Sequence, residues 1–260
     1  MSIIKVIRNI FLAFIIQYFL FESCSKIASA NDDVYTNSIG IEFVLIPSKT
    51  YIIDQYDPDK KHQVTISKPF YLGKFEVTQS QWISVMGSNP NSPTKPDHPV
   101  SLVSWDDTQE FIKRLNQMEG HNRYRLPTEA EWELAATTGG NWGTPYYFPD
   151  DEERDKYAWS ENNSGGYARQ VGQKLPNPFG LYDILGNVSE WVFDWYTYDY
   201  ENVEKYGSVD PIGTTVVNSN VPGKSVRGGN YGGSNCWSIG RFYWGKKNES
   251  IGFRLALSLE

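Results

Sequence analysis

The sequence predicts a single irregular, loop-rich domain of the α+β class. Helix signals are few and short. Strand-like runs lie beside one another without the helix–strand alternation of a doubly wound sheet. Long segments rich in Gly, Asn, Asp and Pro separate them. With 260 residues the chain can build one sizeable core. Hydrophobic residues make up 40%, aromatic residues 15% and charged residues 21%, a globular balance that argues against wholesale disorder. The net charge of −7 gives no electrostatic reason to expect nucleic acid or an anionic membrane surface as a partner.

The first thirty residues read as a cleaved export signal. Lys5 and Arg8 precede an apolar run from Ile10 to Phe21, and Ala28-Ser29-Ala30 is the small-x-small pattern that signal peptidase cuts. The run is interrupted by Gln17 and is shorter than the roughly 20 residues of a spanning helix, so no stable membrane span is expected after cleavage. A lipoprotein joined through Cys24 fits less well, because Glu22 is charged where such sites are small or apolar. The expected organisation is a signal peptide at 1–30, a polar lead-in at 31–40 and one domain at 41–260, exported to the periplasm or secreted. Only Cys236 would then remain, which excludes an internal disulfide and leaves a buried thiol, a reactive thiol or an intermolecular partner.

Along the domain, Ile41 to Ile46 reads as a strand stopped by Pro47, and Gln63–Ile66 and Pro69–Leu72 are further strands. Thr78 caps a short helix reaching Met86, with Trp82 and Val85 on one face. Asn89 to Pro99 holds too many prolines for a strand and is a loop. Ser104, with Asp107 three residues on, starts a second helix whose apolar side is Phe111, Ile112 and Leu115. Thr128-Glu129-Ala130-Glu131 is a capping box opening a third, which runs to about Thr137 and is stopped by Gly139-Gly140. Glu129 and Glu133, four apart on that helix, read as a solvated face. Residues 139–175 are loop-like, Tyr196–Gly223 is again irregular, and Ile251–Leu257 reads as a closing strand.

Pro176 to Trp195 is the stretch around which the rest is organised. Its prolines and Gly180 set one turn and Gly186-Asn187 a second, after which Trp191, Phe193 and Trp195 alternate as in a half-buried strand. Asp183 and Glu190 are the only carboxylates between Pro176 and Phe193. With carbonyls of the Gly-Asn turn they can surround a hard, oxygen-preferring cation. The alternative is that Asp183 caps a turn and Glu190 is solvated. His62, His98 and His121 show no zinc-like spacing, and no phosphate cradle, nucleophile elbow or dinucleotide fingerprint is present. A late segment carries Tyr231, Trp237, Arg241, Tyr243 and Trp244 among Gly, Ser and Asn. Such aromatics give large contact area at low entropy cost, so the segment is either a ligand-binding surface or the completion of an aromatic core.

Several stretches together resemble the formylglycine-generating enzyme, or sulfatase-modifying factor, family. They are Phe75-Glu76-Val77-Thr78, His98-Pro99-Val100 with Val103-Ser104-Trp105, Tyr124 to Glu133, Pro176 to Trp191, Arg227-Gly228-Gly229 and Gly252-Phe253-Arg254-Leu255. The resemblance spans about residues 41–257 and implies a C-type-lectin-like α+β fold. It also implies a calcium ion at the positions of Asp183, Gly186, Val188 and Glu190, with Ser189 departing from the family's usual Trp. Active members oxidise a substrate cysteine of sulfatases using O₂ and a copper(I) ion held by two cysteines. Counted from Arg227, those positions here are Gly233 and Ser238, and Cys236 matches neither. A linear copper(I) site needs two soft thiolates, so copper is not expected. The expectation is an exported family member without the copper oxidase, serving as a ligand-binding or accessory module for an unidentified protein or small molecule. The alternative is an active or modified oxidoreductase that matures sulfatases, with Cys236 as its candidate catalytic residue. A looser similarity of layout exists to retroelement-diversified ligand-binding proteins, which carry the same fold and a comparable Arg-Gly-Gly … Gly-Phe-Arg-Leu segment.

Overall fold

The computed structural model describes residues 34–53, 62–138, 153–196, 208–213, 223–233 and 241–259. The chain divides into two compact units at Val34 and Tyr35. The first, with the expected signal peptide, lies outside the described residues apart from Val34, and the second contains the whole domain. Among the described residues no helix is long and apolar enough to cross a membrane.

Three sheets and four helices are described. Strands β1 (Val34–Thr36), β2 (Glu42–Ile46), β5 (Phe70–Gly73), β11 (Ala256–Ser258) and β6 (Tyr124–Arg125) form a five-stranded sheet in the order β1-β2-β5-β11-β6. Strands β7 (Ser189–Trp195), β8 (Lys224–Arg227), β9 (Arg241–Trp244) and β10 (Ile251–Gly252) form a second in the order β10-β7-β8-β9. A two-stranded ribbon pairs β3 (Lys49–Ile53) with β4 (His62–Ile66), Tyr51 opposite Val64. The sequence reading missed β3, because it ended the preceding strand at Pro47 and assigned no element to the residues immediately after it.

The three expected helices form where their caps predict. Helix α1 (Gln79–Met86), α2 (Trp105–Glu119) and α3 (Glu129–Thr137) each open on a reciprocal capping box, at Thr78 with Gln81, Ser104 with Asp107 and Thr128 with Glu131. Each box satisfies two backbone donors that the first helical turn leaves without partners. Helix α3 ends at Thr138 in the left-handed conformation, one residue before the Gly139-Gly140 pair assigned to stop it, which lies outside the described residues. A single turn, α4 (Arg154–Tyr157), falls within the expected long loop.

Helices α1 and α2 pack their aromatic faces on the C-terminal segment. Trp82 stacks on Phe111 at 5.3 Å, and Phe253 meets Phe111 edge-on at 5.4 Å. Ile41, Phe43, Leu115, Leu126, Trp191 and Leu257 close this core. A second one joins the β3–β4 ribbon to α3 and to Leu181, Ile184 and Leu185, the short apolar run of the central stretch.

Three expectations need correction. Ile251–Leu257 is not one strand: β10 pairs in parallel with β7, β11 pairs with β5 and β6 in the other sheet, and Phe253-Arg254-Leu255 crosses between them. The alternation of Trp191, Phe193 and Trp195 does not mark the buried face of a strand. In β7 the fully buried face is the other one, Glu190, Val192 and Asp194, while on the aromatic face Trp191 is buried, Trp195 half-buried and Phe193 exposed. Glu129 and Glu133 are not solvated. Both are fully buried, at 3.2 and 3.1 Å from the guanidinium of Arg227 on β8, which also lies over the Trp132 ring. Helical spacing marks one face but not what covers it; here the cover is an arginine from a strand ninety-odd residues later.

Removing one partner of a buried ion pair leaves the other charged and desolvated. Arg227→Met should therefore lower stability by about 3–5 kcal/mol, read as a fall in the urea midpoint. An unchanged midpoint would show that the three groups contribute little as a set.

Candidate functional site

The central stretch is built from two turns and one strand. Asn177 holds the first turn: its Oδ1 accepts from the backbone N–H groups of Phe179 and Leu181, and its Nδ2 donates to Ala135 O. Asp183, Gly186 and Asn187 all have positive φ, of 52°, 82° and 53°. At Gly186 a side chain would run into the Trp159 carbonyl, so only glycine fits this approach. The second turn is fixed by Glu76, whose Oε2 accepts from Asn187 Nδ2 at 2.6 Å and whose Oε1 accepts from Val188 N at 2.9 Å.

The turns deliver Glu76, Asp183 and Glu190 to one buried centre with Arg254. All four are at most 1% exposed. Arg254 donates from Nε to both oxygens of Glu190 at 2.9 and 2.8 Å, and from Nη2 to Glu190 Oε1 at 2.7 Å. It also donates from Nη1 to Gly73 O and from Nη2 to Tyr182 O. Trp132 Nε1 donates to Glu190 Oε2 at 2.8 Å. Burial pushes the Glu76 carboxyl well above the usual range, reinforced by the negative charges of Asp183 and Glu190 and opposed by Arg254. Burial likewise raises Asp183 to about 6, against the Gly172 N–H that its Oδ2 accepts and the Arg254 charge. For Arg254 burial acts downward, but Glu190 outweighs it and holds the guanidinium protonated.

Of the positions expected to hold calcium, Asp183 and Glu190 lie at this centre, yet the donor chemistry of Glu190 does not suit a cation in this arrangement. An ionised carboxylate offers about four lone-pair positions. On Glu190 all four are taken by the three contacts from Arg254 Nε and Nη2 and the one from Trp132. Asp183 Oδ1 is buried and makes no hydrogen bond, and Glu76 accepts one bond at each oxygen. With its lone pairs committed to Arg254 and Trp132, Glu190 has none left for a cation. The alternative of a solvated Glu190 fails as well, since that carboxylate is buried, and Asp183 accepts from Gly172 N, eleven residues earlier in the chain.

The late aromatic set is split by the β8–β9 hairpin. Tyr231 sits in the loop beyond Arg227, half-buried, donating its N–H to Asn187 O and accepting from Ser164 Oγ at its carbonyl. Burial raises its phenol. Gly233 follows, its carbonyl accepting from Glu161 N. Arg241 and Tyr243 lie on β9 opposite Arg227 and Ser225, their side chains outside the described residues, as are Cys236, Trp237 and Ser238. Trp244 is 43% exposed at the other end of the hairpin, opposite Lys224.

At that end Trp244, Trp105, Trp195 and Lys224 line a cleft of about 320 Å³, with Asp106 at its edge and Trp191 behind. Lys224 Nζ lies 4.0 Å from the Trp105 ring centre and 4.3 Å from that of Trp195, and donates to Phe193 O at 2.9 Å. Half-burial lowers its ammonium to about 8, although Asp194 and Asp106 act to raise it. The indole N–H groups of Trp105 and Trp191 are used internally, on Val192 O and Val103 O, so both rings are fixed. A larger depression of about 600 Å³ lies by Ile66, Phe70, Phe193, Ile212 and Leu259. It is chiefly apolar, and the Arg125–Glu131 pair on its wall is already bonded to itself.

Sequence reasoning missed Lys224, Trp105 and Trp195 as a site because they come from a strand end, a helix start and another strand end. The tryptophan content was the available signal. It missed Glu76 and Arg254 as centre residues, although both fall in segments that carry the family resemblance.

A five-stranded sheet and a mixed four-stranded one, joined by long irregular segments and with the central stretch pinned by a buried arginine, define a C-type-lectin-like fold of the formylglycine-generating-enzyme type. The chain belongs to the family of the sulfatase-modifying factor enzyme 1-like domain, whose model matches residues 36–259. Among curated relatives, the chaperone protein LppX of Paenibacillus barcinonensis is 33% identical over 184 residues, covering 52% of this chain and 65% of that protein. The formylglycine-generating enzyme of Thermomonospora curvata is 31% identical over 150 residues, covering 53% of this chain and 47% of the enzyme. In both, the match spans less than two thirds of the relative's length. Among solved structures, the Treponema denticola variable protein 1 superposes with a TM-score of 0.69 at 27% identity, over 88% of this chain and all of that one. PvdO from Pseudomonas aeruginosa superposes with a TM-score of 0.74 at 24% identity, over 89% and 100%, a likeness of fold.

Two outcomes are expected at the buried centre. Adding a calcium chelator to the purified protein should leave the melting temperature unchanged, because Glu190 is neutralised by Arg254; a clear fall would reveal a bound ion. The second concerns pH. Asp183 goes from an ordinary value of 3.8 to about 6 in the fold, so the folded protein holds a proton that the unfolded chain releases. Its contribution is present below pH 3.8 and lost as pH rises through about 6. Asp183→Asn should therefore gain on the wild type between those values, by on the order of 2 kcal/mol at neutral pH, measured by urea unfolding at pH 4.5 and pH 7. A constant difference would contradict the shift.

Proposed function

We propose that this protein is an exported, non-oxidase member of its family that works as a ligand-binding or accessory module. The observation that carries the reading is the replacement of the copper-binding positions. Gly233 has no side chain to offer, and Ser238 supplies a hard hydroxyl where a soft thiolate is needed. The backbone around Gly233 is committed to internal bonds with Asn230 and Glu161. Export rests on Lys5, Arg8, the apolar run and the Ala28-Ser29-Ala30 site. An accessory role accords with the name of the Paenibacillus relative, a chaperone. Because the fold alone fixes no activity, the ligand has to be sought where unlike side chains line one cavity, and the cleft between Trp244 and Lys224 is such a place.

The test uses the purified protein with copper, O₂ and a peptide bearing the sulfatase cysteine motif. Mass spectrometry should find the cysteine unchanged, while an authentic formylglycine-generating enzyme converts it in parallel. Conversion by this protein would establish the oxidoreductase reading, and loss of that conversion in Cys236→Ser would assign the thiol.

A further inference from the structure

The cleft at the open end of the β8–β9 hairpin has a composition that selects among ligand classes. Its walls are flat: Trp105 and Trp195 are half-buried and Trp244 stands 43% exposed. At about 320 Å³ it lies at the lower end of the range for small-molecule sites, which begins near roughly 300 Å³. That is room for one ring with a short polar tail. Among the described residues few polar side chains line it. Ser104 Oγ is occupied by the capping box with Asp107, which leaves Lys224 and Asp106. A neutral or acidic sugar, with hydroxyls all round its ring, would lose most of its hydrogen bonds on entering. An aromatic ring would not, since it needs only the indole faces.

The two charges narrow the choice further. Lys224 is 9% exposed and gives one hydrogen bond, to Phe193 O, although an ammonium has three protons to donate. The buried Asp194 and, less strongly, Asp106, exposed in the first turn of α2, favour the protonated lysine, yet among the described residues Lys224 and Asp106 make no ion pair. A cation held among the indoles and an anion at the exposed start of α2, both lining one cleft, match a molecule that carries both charged groups on a single carbon. An organic acid alone would meet Lys224 but face the Asp106 carboxylate, and an amine alone would meet the reverse.

We propose that this cleft binds a free aromatic α-amino acid. The ring lies against the indoles of Trp195 and Trp244, the α-carboxylate on Lys224 and the α-ammonium on Asp106. The proposal rests on the reading of the protein as a ligand-binding module and names the ligand class of that site. The site is separate from the loop bearing Gly233, which is at the opposite end of the same hairpin.

Isothermal titration calorimetry on the purified protein tests this with L-phenylalanine, phenylacetate, phenethylamine and glucuronate. Phenylalanine should bind one to one, at least tenfold more tightly than phenylacetate or phenethylamine, and glucuronate should not bind. Asp106→Asn, at an exposed position, should keep its melting temperature and bind phenylalanine no better than phenylacetate. Trp244→Ala and Lys224→Met should each weaken phenylalanine at least tenfold. Absence of phenylalanine binding at millimolar concentration overturns the proposal, as does equal affinity for phenylalanine and phenylacetate in the wild type, or an Asp106→Asn protein that keeps the preference. Tighter binding of glucuronate would assign the cleft to acidic sugars instead. The peptide-conversion assay on the same preparation keeps the two readings apart: an unconverted cysteine with no phenylalanine binding removes the ligand class and leaves the non-oxidase reading standing.

Discussion

The ion pair between Arg254 and Glu190 is the interaction on which the rest of the domain depends. Burying two charges costs several kcal/mol each unless every donor and lone pair finds a partner, and here the partners are the fold itself. Arg254 stands on the crossing between the two larger sheets and bonds to the end of β5, to the Tyr182 carbonyl and to β7. Trp132 of α3 completes the carboxylate. One guanidinium thus fixes the mutual placement of both sheets, the third helix and the central stretch. Glu76 does the same for the Gly-Asn turn through Asn187 and Val188. A buried ion pair is a weak source of net stability but a strict condition on geometry, because few arrangements satisfy all its bonds at once.

A second buried set repeats the device. Arg227 reaches from β8 between Glu129 and Glu133 and lies over the Trp132 ring. Trp132 therefore touches both centres, one through its face and the other through its N–H. Helix α3 is wholly buried although it carries three glutamates, and this is possible only because each finds an arginine: Arg227 for Glu129 and Glu133, Arg125 for Glu131. Irregular segments need such anchors more than regular ones, since they lack the repeating backbone bonds of a helix or sheet.

These anchors are buried, and the two ends of the β8–β9 hairpin differ in chemistry. At one end of the β8–β9 hairpin is the loop where family members place copper-binding cysteines and this chain has Gly233 and Ser238. At the other, Trp244 and Lys224 open a cleft with Trp105 and Trp195. Because a fold fixes no activity, membership of the family and possession of its chemistry are separate questions.

The sequence by itself determined the local elements. The caps at Thr78, Ser104 and Thr128 placed three helices, and Gly186 with Asn187 placed the turn before β7, because such signals act within four residues and depend on backbone geometry alone. The late aromatic set was legible only as a set; whether Tyr231 and Trp244 share a surface turned on the hairpin register, and they do not. What only the tertiary structure decided was the partner of each buried charge. Glu190 and Arg254 are 64 residues apart, and Glu133 and Arg227 are 94 apart. No periodicity reports such a distance, so Glu129 and Glu133 read as a wet face and Glu190 as a cation ligand or a solvated carboxylate. The same holds for the cleft, whose lysine and three tryptophans come from a helix start and three strand ends. Burial gives a charge or an exposed indole its chemical meaning, and burial is a property of the assembled chain.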